Sequence, residues 1–298
     1  MRLCLNCGAS FDGAGPACPH CGSAPGLRMG FPTYAPKLAE QNDDFNPQFF
    51  ELMTEVEPTH FWFVSRNRIL ADVLRRYCPN PARILEIGCG TGFVLAGLRR
   101  LFPAARLSAS DIYTEGLAFA AQRVPDAALF QMDARHIPYH EEFDLIGMFD
   151  VLEHIEEDEA VLRQVFAASK AGAGVILTVP QHRWLWSRMD DFAHHKRRYS
   201  RGELVEKLQR AGYEVEYATS FITLLLPLML AARLLRQPAG STMEDQMEAA
   251  GLRIGKLANA LMQAAMAFER RMIGWGMRLP WGGSLLVFAR KPMTARNR

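Results

Sequence analysis

The chain has 298 residues, 49% of them hydrophobic, which is enough for one large α/β domain with small additions. A net charge of +2 and an isoelectric point near 8.2 exclude the strongly positive whole-protein field that dominates nucleic-acid binding, so no specific nucleic acid is expected as a partner. No apolar leader of the secretory type follows Met1, and the sequence therefore predicts a cytoplasmic protein.

Four of the six cysteines form two C-x-x-C-G knuckles, Cys4 with Cys7 and Cys18 with Cys21, around a short Gly/Pro-rich loop. Two such knuckles resemble a zinc ribbon, in which four thiolates surround Zn²⁺ tetrahedrally. Disulfides would instead need an oxidising compartment. We therefore predict that residues 1–25 hold a structural Zn²⁺ that supplies most of their folding free energy, on the order of 10 kcal/mol.

Residues 26–48 are rich in Gly, Pro, Ala and Asn with little periodicity, and are predicted to be a linker. From Phe49 the pattern becomes helical and dense in aromatic residues up to the first apolar strand. These helices are predicted either to form a lid over a bound ligand or to pack on the sheet.

The apolar run at 84–87 predicts a buried strand, which Gly88, Gly90 and Gly92 separate from an amphipathic helix. Glycines let the backbone approach a ligand closely, and a helix start offers unpaired N–H groups. The dinucleotide fingerprint is G-x-G-x-x-G, so this alternate spacing disfavours an NAD-dependent oxidoreductase.

A carboxylate ends each of three predicted strands. Glu86 lies two residues before the first glycine, where it would suit a ligand ammonium group. Asp111 lies about twenty residues after the glycines, at the offset where a carboxylate can bind ribose hydroxyls, and Asp133 ends the third strand. The alternatives, a helix cap at Asp111 and a solvated turn at Asp133, remain open.

The phrase Glu86-x-Gly88-x-Gly90-x-Gly92 resembles the first motif of class I S-adenosylmethionine-dependent methyltransferases. The resemblance implies an α/β fold with a Rossmann-like seven-stranded sheet, six strands parallel and one antiparallel. It implies that Asp111 binds the ribose and that Asp133 accepts a hydrogen bond from the adenine amino group. Met132 and Ala134 would then flank the ring, and Ile112 and Tyr113 are candidates for an apolar wall against it. The predicted cofactor-binding residues are Glu86, Gly88, Gly90, Gly92, Asp111, Ile112, Asp133, Ala134 and Asp150.

The fourth predicted strand, Phe143–Asp150, is followed by Val151-Leu-Glu153-His154-Ile, and the whole phrase resembles the equivalent segment of ubiquinone-biosynthesis O-methyltransferases. His154 is a candidate base, because the pKa of an unperturbed histidine lies near that required to deprotonate a phenol or enol. A divalent metal on Asp150, Glu153 and His154 is a less favoured alternative.

After the fifth strand, residues 181–199 combine tryptophans, histidines and cations at the edge where open α/β sheets bind ligands. This composition predicts a substrate pocket for a molecule with an anionic group; a solvated charge run is the alternative. His182, His194 and His195 are rival candidates to His154 as the base. The predicted substrate residues are Trp184, Trp186, Asp190, Arg197, Arg198 and Tyr199.

Residues 221–282 form an apolar and basic helical insertion before the last strand, which is predicted in 283–298. The insertion is too short and too interrupted to span a bilayer. It could lie on a membrane surface, including the inner face of the cytoplasmic membrane, cap an apolar substrate pocket, or form a homodimer interface.

Taken together, the patterns predict a methyltransferase domain at 49–220 completed by 283–298. The expected reaction is O- or C-methylation of a small, apolar or lipid-like acceptor that carries an anionic group. Two alternatives stay open: a zinc-ribbon adaptor whose Rossmann-like domain only senses the cofactor, and an NAD-dependent oxidoreductase.

Overall fold

A computed structural model describes residues 1–13, 15–41, 48–187, 190–191, 193–235, 252 and 254–293. The strands are β1 Arg2–Leu3, β2 Ser10–Phe11, β3 Gly26–Arg28, β4 Phe31–Thr33, β5 Arg83–Ile87, β6 Arg106–Asp111, β7 Ala128–Gln131, β8 Phe143–Phe149, β9 Ser169–Pro180, β10 Glu214–Phe221 and β11 Ser284–Arg290. The α-helices are α1 Pro36–Gln41, α2 Gln48–Val56, α3 Phe61–Tyr77, α4 Phe93–Leu101, α5 Thr114–Arg123, α6 Asp158–Ala168, α7 Arg201–Arg210, α8 Leu226–Leu235 and α9 Lys256–Gly274.

The seven central strands lie in the order β10-β11-β9-β8-β5-β6-β7. Strands β5 to β9 pair in parallel, whereas β11 is antiparallel to both of its neighbours. Strand β10 therefore runs in the same direction as β9. This is the predicted doubly wound arrangement of six parallel strands and one antiparallel strand.

Both faces of the sheet are covered, which explains why its middle strands are almost continuously apolar. Ile84 points into a core formed with α3, α4 and α5, and its neighbour Leu85 points into a second core formed with α6 and α7. Both side chains are fully buried. Because its side chains alternate, β5 packs against the helices on both faces of the sheet.

A short hairpin, β3 and β4, extends the sheet beyond β7. Thr33 pairs in parallel with Gln131, and the Gln131 side-chain amide also bonds both the N–H and the carbonyl of Ala35, each at 3.0 Å. The predicted linker therefore begins with sheet residues. Strands of three residues are too short for a periodic pattern to reveal them. Residues 42–47 of that linker lie outside the described part of the chain.

The cysteine-bearing N-terminal segment folds as the small β1–β2 hairpin with its two knuckles. It docks on the loop before β8, where Leu3 donates its N–H to Pro138 O at 3.0 Å and His140 donates its N–H to Met1 O at 3.1 Å. Backbone hydrogen bonds thus fix the position of this small module on the larger domain.

Helices α8 and α9 occupy the predicted insertion, of which residues 236–251 and 253 lie outside the described part. Helix α9 packs along α3: Asn259 Oδ1 accepts from the Phe61 N–H at 2.8 Å, and Arg270 Nη2 donates to Asp72 Oδ1 at 2.9 Å. Among the described helices, none has the length and apolar character needed to cross a bilayer.

Candidate functional site

A cavity of about 1440 Å³ opens at the carboxyl ends of β5, β6, β7 and β8, the edge at which open α/β sheets bind ligands. Helices α2 and α3 wall one side of it, and the insertion walls another. Eight of the nine predicted cofactor residues line this cavity: Glu86, Gly88, Gly90, Asp111, Ile112, Asp133, Ala134 and Asp150.

The three glycines after β5 all have positive φ angles, but they serve different purposes. A Cβ on Gly88 would lie 2.3 Å from Val151 Cγ2, and one on Gly92 would lie 2.8 Å from the Cα of Ala120. Around Gly90 the nearest heavy atom would be 4.0 Å away. Gly90 therefore exposes bare backbone to the cavity. Gly92 instead caps α4 against α5 and, unlike the other predicted cofactor residues, does not line the cavity.

Asp111 and Glu86 lie side by side beneath this turn. Asp111 accepts hydrogen bonds from Gly90 N at 2.7 Å and from Tyr113 N at 3.0 Å. Glu86 is only 1% exposed, and its Oε2 has no hydrogen-bond partner in the structure. Burial raises the pKa of Glu86 well above its ordinary value of 4.5, and the Arg66 cation offsets part of that rise. An unpaired buried carboxylate oxygen fits a cationic ligand group.

Asp133 at the end of β7 is held by the residues that follow it. Arg135 Nε donates to its Oδ1 at 3.0 Å, and His136 Nδ1 lies 3.4 Å from its Oδ2. Burial opposes ionisation, but the hydrogen bonds from Arg135 outweigh it and lower the pKa of Asp133. The carboxylate therefore stays an acceptor, as an adenine amino group requires.

Two polar networks, one from α3 and one from the connection between α2 and α3, complete the wall, and the sequence patterns did not reveal them. Arg66 of α3 donates to Asp150 Oδ2 at 2.6 Å, so Asp150 is neutralised within the protein. Glu57 accepts from Thr91 Oγ1 at 2.7 Å and from Arg123 Nη1 at 2.6 Å. This second network ties the connection between α2 and α3 to the glycine turn. The helices before β5 are thus both packed on the domain and part of the cavity wall.

Residues 61–218, more than half of the chain, match the family model described as a methyltransferase domain. The chain belongs to this methyltransferase family. Together with its fold, this places it among the class I S-adenosylmethionine-dependent methyltransferases, as the motif resemblance implied.

Two curated relatives share parts of this domain. The malonyl-[acyl-carrier protein] O-methyltransferase of Bacillus anthracis is 33% identical over 101 residues, which cover 33% of this chain and 38% of that protein. The trans-aconitate 2-methyltransferase of Variovorax paradoxus (strain S110) is 30% identical over 121 residues, which cover 40% of this chain and 47% of that protein. The chain thus spans less than half the length of these curated relatives.

Among solved structures, phosphoethanolamine N-methyltransferase 2 of Haemonchus contortus in complex with S-adenosyl-L-methionine superposes with a TM-score of 0.56. The match covers 86% of this chain and 60% of that one at 18% identity. At this identity the likeness concerns the fold alone.

Three of the four candidate histidines of this methyltransferase line the cavity: His154, His194 and His195. The rings of His154 and His195 meet edge to face, with centroids 4.8 Å apart. Burial, and then the neighbouring His195, lowers the pKa of His154 to about 4, although the residue keeps a solvent-exposed side. His182 instead stacks between Trp184 and Trp281, with centroids 5.1 and 5.3 Å apart, and does not line the cavity.

Of the predicted substrate residues, Trp186 and Arg198 line the cavity, whereas Trp184, Asp190, Arg197 and Tyr199 do not. Tyr199 is fully buried and donates its hydroxyl to Asp158 Oδ2 at 2.8 Å. Arg197 pairs with the same carboxylate at 2.9 Å. These side chains anchor the segment to α6 and lie outside the cavity lining, a distinction that composition alone cannot make.

Asp190 organises the part of the segment that does reach the cavity. It is fully buried, and its Oδ1 lies 2.9 Å from His195 Nδ1 and accepts from Arg198 Nε at 2.7 Å. Arg198 also donates to Gln181 O at 3.1 Å. Asp190 is therefore a positioning residue for His195, and the Arg198 guanidinium is largely engaged within the protein.

The four N-terminal cysteines converge as the knuckle spacing predicts. The sulfurs of Cys4 and Cys21 are 3.6 Å apart, and those of Cys7 and Cys18 are 3.7 Å apart. Zn–S bonds of about 2.3 Å in a tetrahedron place sulfurs roughly 3.8 Å apart, whereas a disulfide would require about 2.05 Å. The cluster therefore fits a zinc ribbon.

Proposed function

We propose that the chain transfers a methyl group from S-adenosylmethionine to a small acceptor with an apolar, lipid-like part and an anionic group. The observation that carries this proposal is the composition of the cavity. Carboxylates and a bare glycine backbone line one part of it, and histidines and apolar side chains line the remainder. Family membership supports methyl transfer, and the cavity supports the choice of acceptor.

The cofactor would occupy the part of the cavity next to β5 and β6. Glu86 would bind its ammonium group, Asp111 its ribose hydroxyls, and Asp133 its adenine amino group, with Ile112 and Ala134 against the ring. S-adenosylmethionine supplies a methyl group activated by a positively charged sulfur. The protein would contribute alignment of the acceptor and exclusion of water.

The acceptor would occupy the remaining space, below the insertion. There the wall is apolar and comes mainly from the insertion: Ile222, Leu225, Leu228, Met229, Leu252, Ile254 and Met262. The histidines and the cationic Lys196 line the same cavity. An acceptor with a hydrocarbon part and an anionic group would match both surfaces.

The outer face of the insertion supports access from a membrane surface. Three exposed apolar residues lie four and seven positions apart along α9, and a fourth caps its end: Leu257, Leu261, Phe268 and Trp275. They are 76, 64, 54 and 75% exposed, respectively. Lys256 and Arg271 lie beside this stripe. We propose that this face rests on an anionic lipid bilayer, because apolar stripes with basic neighbours bind such interfaces.

The N-terminal ribbon would serve as a structural zinc module. Its cysteines lie apart from the cavity lining, and its backbone docks on the loop before β8. With so small a core, bound metal would hold this module folded.

Transfer of label tests the proposed reaction. Purified protein is incubated with methyl-labelled S-adenosylmethionine and with a cell extract separated into lipid and aqueous fractions, and Asp111→Ala serves as the control. At a cofactor concentration near the wild-type Kd, we expect label in the lipid fraction with the wild-type chain and much less with the variant. Label confined to the aqueous fraction contradicts the lipid-like acceptor.

Tight cofactor binding without any labelled product would favour the adaptor alternative. Calorimetric titration with NAD and with S-adenosylmethionine separates the oxidoreductase alternative, because binding of NAD alone would contradict the proposed function.

A further inference from the structure

The loop between β7 and β8 connects the N-terminal ribbon to the cavity. Near its start, Asp133 lines the cavity and is the predicted partner of the adenine amino group. A few residues further along, Pro138 O accepts from Leu3 N at 3.0 Å, and His140 N donates to Met1 O at 3.1 Å. One short loop therefore reaches the cavity at one end and holds the cysteine module at the other.

Aromatic packing continues this connection inside the domain. Tyr139 of the loop packs against Phe130 of β7 with ring centroids 5.6 Å apart, and Phe130 packs against Tyr34 with centroids 5.9 Å apart. Burial raises the pKa of both tyrosines, and the Arg2 cation of the ribbon offsets part of each rise, so Arg2 lies near both rings. Phe130 and Ala134 belong to the same buried core. The ribbon, the chain after β4 and the adenine end of the cavity thus meet in one packed region.

Gln131 makes a second connection between the N-terminal segment and the cavity. It is fully buried at the end of β7. Its side-chain amide bonds both the N–H and the carbonyl of Ala35 at 3.0 Å, and its Nε2 also donates to Ile112 O at 3.3 Å. Ile112 lines the cavity, and so does Leu38, whose N–H donates to Ala35 O at 3.2 Å. Because a buried amide is costly to leave unbonded, these contacts hold two parts of the cavity wall in a fixed relation.

We propose that residues 1–38 form part of the cofactor site and that Gln131 positions them against it. Zinc at the four cysteines and S-adenosylmethionine in the cavity therefore strengthen each other's binding. This inference rests on the proposed function, in which the adenine lies beside Ile112 and Asp133. Zinc keeps the ribbon folded, and the folded ribbon holds both the loop after β7 and the chain that carries Leu38. The ribbon thus acts on the cofactor site in addition to its structural role.

Titrations with and without zinc test the coupling. The full chain is prepared zinc-loaded and, after treatment with a chelator, zinc-free, and calorimetry measures the binding of S-adenosylmethionine to each form. We expect the affinity to be about fivefold lower or more without zinc, within the usual range of coupling between two sites.

The reverse measurement follows from the reciprocity of such coupling. Competition with a chromogenic chelator should show that zinc is bound more tightly, by the same factor, when S-adenosylmethionine saturates the cavity. Saturating adenosine should also tighten zinc binding, because the connection acts at the adenine end. Neither measurement depends on catalytic activity.

Matched variants separate positioning from folding. Gln131→Met keeps the approximate length of the side chain but removes its amide, and should bring the ratio of the two cofactor affinities towards one. Leu38→Ala shortens a half-buried side chain that the fold tolerates losing, and should lower the same ratio. Gln209→Met changes an exposed glutamine on α7 and should keep the wild-type ratio.

Equal cofactor affinity of the wild type with and without zinc would overturn the inference. So would the same affinity ratio in all four proteins, because zinc would then act only through overall folding. If neither form of the wild type binds S-adenosylmethionine, the proposed function itself is contradicted.

Discussion

The carboxylate of Asp111 accepts a 2.7 Å hydrogen bond from the backbone N–H of Gly90, which fastens the end of β6 to the turn after β5. One side chain thus sets the shape of the turn and lines the cavity that the turn borders. Loss of this carboxylate should therefore affect ligand binding more than overall stability.

Asp111→Ala should weaken S-adenosylmethionine binding by about 2 kcal/mol or more, roughly thirtyfold in Kd, because hydrogen bonds to a charged group are lost. Isothermal titration calorimetry measures this change. Asp126→Ala removes an exposed aspartate outside the cavity and should leave the affinity unchanged. Equal affinity of the Asp111 variant and the wild type would contradict the assignment.

Alanine substitution should mainly lower stability at Gly88 and mainly weaken cofactor binding at Gly90. Both positions have positive φ, so an alanine at either would be strained by about 1–2 kcal/mol. Gly88→Ala adds a clash with Val151 and should lower the melting temperature more. Gly90→Ala adds a methyl group to open cavity and should mainly weaken cofactor binding. Thermal melts and calorimetry on both variants test this. If the loss of melting temperature and the loss of cofactor affinity stand in the same ratio in both variants, the prediction is refuted.

Stability should depend on Asp158 at acidic pH. Burial raises the pKa of Asp158, but hydrogen bonds from Lys207, Tyr199 and Arg197 outweigh it and bring the pKa below the ordinary value of 3.8. The pKa of Asp158 is lower in the folded state than in the unfolded state. The stabilisation from its ionised carboxylate is therefore fully present above pH 3.8 and is lost as the pH falls through the pKa of the folded state. Asp158→Asn should therefore reduce the free energy of unfolding at pH 7 and flatten its acid dependence. Urea denaturation between pH 7 and pH 3 measures the free energy of unfolding and its dependence on pH. If that free energy falls equally with pH in the wild type and the variant, the prediction is wrong.

The apolar stripe of α9 should govern association with lipid. Leu261→Glu combined with Phe268→Glu should reduce co-sedimentation with phosphatidylserine-containing vesicles at least tenfold, since each buried apolar side chain contributes about 1.5–3 kcal/mol. Leu27→Glu alters an exposed apolar residue on β3 and should have no effect. If the wild-type chain dimerises without binding vesicles, and the double variant no longer dimerises, the stripe belongs to an interface with a second copy of the chain instead.

The cysteine cluster should contain one zinc ion per chain. Cys18→Ser should abolish that content, whereas Cys78→Ser, which changes a cysteine outside the knuckles, should retain it. Elemental analysis of the purified proteins measures both. Zinc retained by the Cys18 variant would contradict the ribbon.

The arrangement of the strands follows from the family resemblance, and most of the candidate cofactor residues follow from short, contiguous patterns. Glu86 and the glycines lie within seven residues, so their spacing alone predicts a shared turn. The pairing of Arg66 with Asp150 joins residues 84 positions apart, and no local pattern encodes it. Similarly, composition predicts a functional segment at 181–199 but not that Tyr199 points inward, because the direction of each side chain depends on packing against α6.

Strand β11 lies between β9 and β10 although it follows β10 by more than sixty residues. As the polypeptide leaves the ribosome, β10 has no strand beside it until the insertion and then β11 have been synthesised. During that interval the edges of β9 and β10 stay unpaired, and pairing with another nascent chain competes with the insertion of β11 into the sheet. Folding of this protein should therefore be sensitive to any delay in translating the codons between β10 and β11, and chaperones that shield strand edges should raise its yield.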